Sequence, residues 1–285
     1  MDYEITSLKG SGKDIVRRIR SSEKSQLLIP PKLSGMNLDI PAPPSGDKYI
    51  GLFSSGTTQQ PKCIWNTLDR IEENARYSVE AFEVGPQHLV LLMAMPWHIA
   101  GLSWMLMCES VECDYFFITT KKGEHDFWIK TVQDISPDYL FTVPAVLRAL
   151  YDERWFVNNV AYGGYPIKFE EYAKLSPHCS FMYQGYGQTE AGGLISCHKR
   201  RSTVLPFDLE NLCNGKAIEG VELTCSGTQE HPTPIYIYSR TSCFAQTYDS
   251  GDVGFTDEEG NIYIAGRSLA PESSKATTKK ELLGN

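Results

Sequence analysis

The chain lacks the cysteine spacing of a metal or redox site. Its eight cysteines stand at 63, 108, 113, 179, 197, 213, 225 and 243, and no two form a C-x-x-C pair. A zinc ribbon or vicinal redox pair is therefore not expected. With 285 residues and dispersed thiols, a disulfide scaffold is not expected either. The composition reads as a reduced, cytoplasmic protein whose thiols fill the core. Positive charge is also in short supply. The formal net charge is −8, which argues against a nucleic-acid partner, for which a basic face is expected. The start, Met1-Asp2-Tyr3-Glu4, has no basic-then-apolar pattern of a secretory leader. The one long uncharged stretch, Leu89 to Met107, has the length of a membrane span. Pro96, Trp97 and His98 interrupt it, so a strand (Leu89–Met95), a turn and a buried helix (Ala100–Met107) are expected, and no membrane.

What is present is enough apolar residue, 41%, for an ordinary core of one large domain or two modest ones. Residues 1–48 read as an N-terminal segment and linker. Ser11 to Gln26 has the pattern of a short amphipathic helix, and Ile29 to Pro44, with five prolines, that of an extended connection. From Tyr49 the pattern becomes strand, loop, helix. Apolar residues at 68, 71, 75, 79 and 82 predict a helix. Strands are predicted at 89–95, 114–118, 139–142 and 157–162, with helices near 100–108, 126–134 and 144–154. This alternation predicts an α/β core over 49–205: a mostly parallel sheet flanked by helices. Short strands at 221–225, 235–239 and 261–265 predict a small antiparallel or barrel-like β subdomain over 206–268. Residues 269–285 read as a disordered tail.

Chemistry concentrates first at Ser54-Ser55-Gly56-Thr57-Thr58-Gln59-Gln60-Pro61-Lys62. Hydroxyls, a glycine and a lysine in one loop after an apolar strand can aim N–H groups and a cation at phosphates. The loop is not a Walker A motif, which needs a glycine where Pro61 stands and a Lys-Ser/Thr pair after it. Further segments follow in order: Pro96-Trp97-His98-Ile99-Ala100-Gly101, Gly163-Gly164-Tyr165-Pro166, Tyr186-Gly187-Gln188-Thr189-Glu190, Gly215 to Leu223, Ser250-Gly251-Asp252, and Glu259 to Arg267. Each alone has an ordinary reading, such as a core histidine, a turn, a helix cap or a surface charge.

Taken in order, they resemble the motifs of the adenylate-forming superfamily, whose acyl-CoA ligases read S-S-G-T-T-G-x-P-K-G, P-x-x-H-x-x-G, G-G-x-P, Y-G-x-T-E, T-G-D and G-R. The resemblance spans residues 54–267, truncated at both ends relative to the family. It implies that ATP is bound as follows. Ser54, Ser55, Gly56, Thr57, Thr58 and Lys62 take the phosphates. Gly163, Gly164, Tyr165, Tyr186 and Gly187 lie along the nucleoside. Asp252 and Arg267 stand at the ribose. Thr189 meets the α-phosphate, and Glu190 with Thr58 holds Mg²⁺. Lys62, Thr189, Glu190 and His98 are the implied catalytic set. His98, Trp97 and Tyr183 would wall the pocket of a carboxylic-acid substrate.

The family pattern is not matched throughout. Gln59 and Cys63 replace glycines of the phosphate loop, and glutamine takes glycine-type angles only with strain. Members carry a large portion ahead of the loop and a separate lysine-bearing domain after the G-R hinge. Here 53 residues precede Ser54, and 18 follow Arg267, too few to fold alone. Three readings stand. One is an ATP-dependent enzyme forming an acyl-adenylate, passed on to CoA or to the phosphopantetheine thiol of a carrier protein, with a partner supplying the missing domain. A second is an acyl- or nucleotide-binding or chaperone subunit of a biosynthetic complex. The third is a remnant with no ligand.

Overall fold

In the computed structural model, residues 2–54, 61–121, 123–204 and 212–268 are described. The first sheet is built from β1 (Tyr3–Ile5), β2 (Ser25–Leu27), β3 (Tyr49–Phe53) and β4 (Cys63–Thr67), in that spatial order. The first three strands are parallel, and β4 returns antiparallel to β3, with Phe53 opposite Cys63. Residues 1–48 are thus not simply a leading segment and linker, since β1 and β2 extend the sheet begun by β3. Helix α1 (Gly12–Ser21) starts in a capping box: the Ser11 hydroxyl accepts from Asp14 N at 3.2 Å, and Asp14 Oδ2 accepts from Ser11 N at 3.0 Å. It buries Ile15, Val16 and Ile19. The helix ends at Ser21 rather than near Gln26, because Ser25–Leu27 is buried along its whole length as β2. The proline-rich stretch after it forms only one 3₁₀ turn, Pro31–Leu33.

After β4 comes α2 (Leu68–Phe82), capped by the Thr67 hydroxyl on Arg70 N. Then follow β5 (Leu89–Leu92), α3 (Ile99–Ser110), β6 (Asp114–Phe117), α4 (His125–Ile135), β7 (Tyr139–Thr142), α5 (Pro144–Leu150), β8 (Val157–Gly163), α6 (Phe169–Leu175), β9 (Cys179–Gln188), β10 (Gly193–Arg201) and β11 (Lys216–Ala217). They make a seven-stranded sheet in the order β11-β10-β9-β8-β7-β5-β6. The run from β6 to β9 is parallel, and β10 and β11 are antiparallel. Two aromatic-rich cores cover it, one around Phe82, Trp104, Phe141 and Tyr183 and the other around Trp128, Trp155, Tyr162 and Tyr172. The long uncharged stretch is divided between β5 and α3, and no helix among the described residues is long and apolar enough to cross a membrane.

The third sheet is an antiparallel meander of β12 (Val221–Thr224), β13 (Thr233–Ser239), β14 (Tyr248–Thr256) and β15 (Ile262–Arg267). All eight thiols are free. Burial pushes Cys179 and Cys243 up to about 12, which suits space-filling rather than nucleophilic use.

One buried polar junction ties the three sheets together. The Asn74 amide on α2 donates to Leu194 O at 2.9 Å and to Thr241 Oγ1 at 3.1 Å, and its oxygen accepts from Leu194 N at 2.8 Å. Asn66 on β4 donates to Thr241 O at 2.8 Å, and the Thr241 hydroxyl donates to Ala191 O at 2.8 Å. Leu194 sits at a bulge in the β9–β10 ladder, where its amide needs a partner from outside the sheet. Asn74→Ala strips the Asn74 partner from the buried Leu194 N–H and C=O, while the Thr241 hydroxyl keeps its bond to Ala191 O. At about 1–3 kcal/mol for each group left unpaired, a loss of about 2 kcal/mol or more is expected. Urea unfolding checks this, and a loss under about 1 kcal/mol would show that the junction relaxes freely.

Candidate functional site

Strand order reverses between β5 and β7, since β6 lies outside β5 while β7, β8 and β9 follow on the other side. In an open α/β sheet, a ligand crevice lies beyond the carboxyl ends of the strands at such a point. The residues leaving those ends are the ones the sequence singled out. After β5 comes Pro96-Trp97-His98, with His98 at the N-cap of α3. After β8 comes the Gly163-Gly164-Tyr165 turn. After β9 come Thr189 and Glu190. Gly164 turns with φ +88°, and Tyr165 stands 69% exposed. The turn beyond β9 is tight: Ala191 N reaches Gln188 O, and Gly192 N reaches Thr189 O at 3.1 Å. It is pinned to the third sheet where Cys243 N (2.9 Å) and Ser242 Oγ (3.0 Å) donate to Glu190 O.

Three expectations are sharpened here. A Cβ on Gly187 would lie 2.5 Å from Gly193 O, so this glycine is already required by the fold's own β9–β10 pairing. Tyr183 does not line the crevice. It is buried in the core below, and its hydroxyl donates to Glu83 Oε2 at 3.3 Å. The Ser54–Lys62 loop leaves β3 of the first sheet, not a strand of the seven-stranded sheet. It is the connection of the β3–β4 hairpin, closed by Ser54 N on Lys62 O at 3.0 Å, with Lys62 exposed. Ser55, Gly56, Thr57 and Thr58 lie outside the described residues.

Asp252 is not in a turn. It sits within β14, opposite Arg267 of β15, and is held against β9. Tyr186 donates its hydroxyl to Asp252 Oδ2 at 2.7 Å, and Gln188 Nε2 donates to the same oxygen at 3.0 Å. Arg267 Nε lies 3.1 Å from Oδ1. Gln188 also donates to Ser250 O at 3.0 Å and accepts from the Tyr248 hydroxyl at 3.3 Å. The sequence marked Tyr186, Asp252 and Arg267 but gave no role to Gln188, Tyr248 or Ser250. The signal was period two: 186 and 188 share a face of β9, and 248, 250 and 252 share a face of β14.

Burial of His98, with Lys32 adding to it, holds the imidazole below its usual range and so neutral at pH 7. For magnesium, the donor set decides the fit. Among the described residues no three His, Cys, Asp or Glu gather in one place. A lone carboxylate such as Glu190 fits an ion that arrives on a polyphosphate and keeps phosphate and water ligands, not a protein-built cage.

Burial raises the Asp252 carboxyl above its ordinary value, against the opposing pull of Tyr186, Arg267 and Gln188. A raised acid binds its proton more tightly in the folded chain than in the unfolded one. Its ionised form therefore costs stability at neutral pH, and that cost fades as pH falls through the folded pKa. Asp252→Asn is expected to melt higher than wild type at pH 7, with the advantage vanishing in acid. A pH series of thermal melts checks this, and a lower melting point for the variant at pH 7 would show that the Arg267 pair outweighs burial.

The chain is similar in sequence and fold to known proteins. The family model described as AMP-binding enzyme matches residues 11–272. The 3,4-dihydroxybenzoate–[aryl-carrier protein] ligase of Bacillus anthracis is 25% identical over 218 residues, covering 75% of this chain and 50% of that protein. A salicylyl-CoA synthase / salicylate adenylyltransferase of a Streptomyces species is 40% identical over 81 residues, 28% of this chain and 14% of that protein. The O-succinylbenzoate coenzyme A synthetase of Bacillus subtilis, solved with ATP and magnesium ion, has the same fold. Its TM-score is 0.65 at 18% identity, over 82% of this chain and 54% of that one. A long-chain-fatty-acid-CoA ligase of Archaeoglobus fulgidus gives 0.63 at 17%, over 81% and 53%. The chain spans about half the length of these solved relatives and of the Bacillus anthracis ligase. A match over residues 11–272 makes the chain a member of the AMP-binding, adenylate-forming enzyme family.

Proposed function

We propose that the chain builds the nucleotide- and acid-binding part of an AMP-forming acid–thiol ligase. The observation that carries this reading is the buried Asp252 carboxylate, held by Tyr186 and Gln188 beside the Thr189–Glu190 turn. In this reading Asp252 accepts the ribose hydroxyls with Arg267 beside it, and Gly163, Gly164, Tyr165 and Tyr186 border the base. Thr189 donates to the α-phosphate. Glu190 and Thr58 hold Mg²⁺ with the phosphates, and the Ser54–Lys62 hairpin grips the outer phosphates. The neutral His98 borders the acid. An acid oxygen bonds to the α-phosphorus as the bond to the leaving pyrophosphate breaks, which turns a poor leaving oxygen into AMP. Fixed donors at the phosphate lower that barrier without reorganising. The acyl group then passes to the thiol of CoA or of a carrier protein's phosphopantetheine. A lysine-bearing lobe that closes over Lys62 is proposed to complete turnover, supplied by a partner domain. The proposed setting is the cytoplasm. The activities of the relatives on 3,4-dihydroxybenzoate and salicylate favour an aryl acid.

Millimolar ATP with Mg²⁺ is expected to raise the melting temperature, as any ligand selective for the native state does. No shift with ATP or AMP would sink the reading. Pyrophosphate exchange with an aryl- and alkyl-acid panel then tests the chemistry, and Glu190→Ala is expected to lower it by about 10²-fold or more. Nucleotide binding with no exchange under any acid, even with a lysine-bearing lobe of a relative added in trans, would make the chain a binding subunit instead.

A further inference from the structure

Gln188 has a bonding pattern that its place beside Thr189 does not require. Its amide nitrogen carries two hydrogens and faces three acceptors: Asp252 Oδ2 (3.0 Å), Ser250 O (3.0 Å) and the Tyr186 hydroxyl oxygen (3.1 Å). The Tyr186 hydroxyl spends its own hydrogen on Asp252 Oδ2, so the charged oxygen and the Ser250 carbonyl are the acceptors with most to gain from the amide hydrogens. The amide cannot be turned over. Reversal would aim its oxygen at three oxygens and its nitrogen at the Tyr248 hydroxyl, which now donates to Oε1 at 3.3 Å. Tyr248 therefore fixes Gln188, and Gln188 with Tyr186 saturates Oδ2. The remaining oxygen, Oδ1, meets the guanidinium of Arg267, whose side chain is 62% exposed while that of Asp252 is 7% exposed. An exposed partner is easily displaced by a ligand, whereas two half-buried neutral donors on rigid strands are not.

We propose that Gln188 is a positioning residue that, locked by Tyr248, decides which oxygen of Asp252 is presented to a vicinal diol, and that Arg267 holds that oxygen until the diol arrives. Gln188 itself touches no ligand. This rests on the reading of Asp252 as the ribose acceptor. A side chain acting in this way controls discrimination for the ribose hydroxyls, not affinity for nucleotides in general.

The test is isothermal titration of the full chain with AMP and with 2′,3′-dideoxy-AMP, at one pH and salt. Wild type is expected to prefer AMP by about tenfold or more, the scale of lost hydrogen bonds to a charged acceptor. Gln188→Met keeps the length of the side chain and removes its hydrogen bonds. It should bring the two affinities within about threefold of each other while leaving that for dideoxy-AMP nearly unchanged. Tyr248→Phe, a gentler change, should shrink the ratio by a smaller factor, and it carries the test if the Met variant unfolds. Equal weakening of both ligands, or an unchanged ratio in both variants, would overturn the proposal in favour of a purely structural Gln188. Wild-type binding of both ligands with equal affinity would overturn it together with the ribose role of Asp252. Binding of neither would overturn the nucleotide reading as a whole.

Discussion

The Asn74 amide is the constraint on which the rest of the structure depends. The three sheets have separate hydrogen-bond ladders and meet through a small number of cross-links. Apolar packing between them does not by itself fix their register. A fully buried side chain with two donors and one acceptor, each matched, permits one arrangement of α2 against the β9–β10 bulge and the Thr241 segment. The turn carrying Thr189 and Glu190 is set by that arrangement, because Ala191 and Leu194 at its far end are both tied to it.

Asp252 shows the opposite balance. The junction gains from burial because every group is paired. Asp252 loses by burial, because three lowering influences do not offset its desolvation. An apolar residue in its place would avoid that cost. Its neighbours are arranged to limit that loss without neutralising the carboxylate, with two neutral donors on one oxygen and an exposed cation on the other.

Much of this was legible in the sequence. The strands β5, β7 and β8 are short apolar runs between turns, and α2 shows its period, so the parallel core and its flanking helices followed directly. The strands β2, β9, β10 and β14 did not announce themselves. β9 carries Gln184, Gly185, Gly187 and Gln188, whose preferences oppose a strand, and it is held in place by pairing on both sides. β14 contains Ser250-Gly251-Asp252, which reads as a turn until β13 and β15 flank it. The candidate site residues stood in the sequence as ordered fragments. What joins them, Gln188 to Asp252 and Glu190 to Cys243, is tertiary and leaves no mark along the chain.

The β3–β4 hairpin has a consequence for how a ligand would act on the chain. Lys62 is carried by the first sheet and Asp252 by the third, with about 190 residues of chain between them. A molecule gripped by both would close that span as a non-covalent cross-link, and the entropy of closing so long a loop grows only logarithmically with its length. Occupancy would then oppose the unfolding of that whole span, in addition to making local contacts in the crevice.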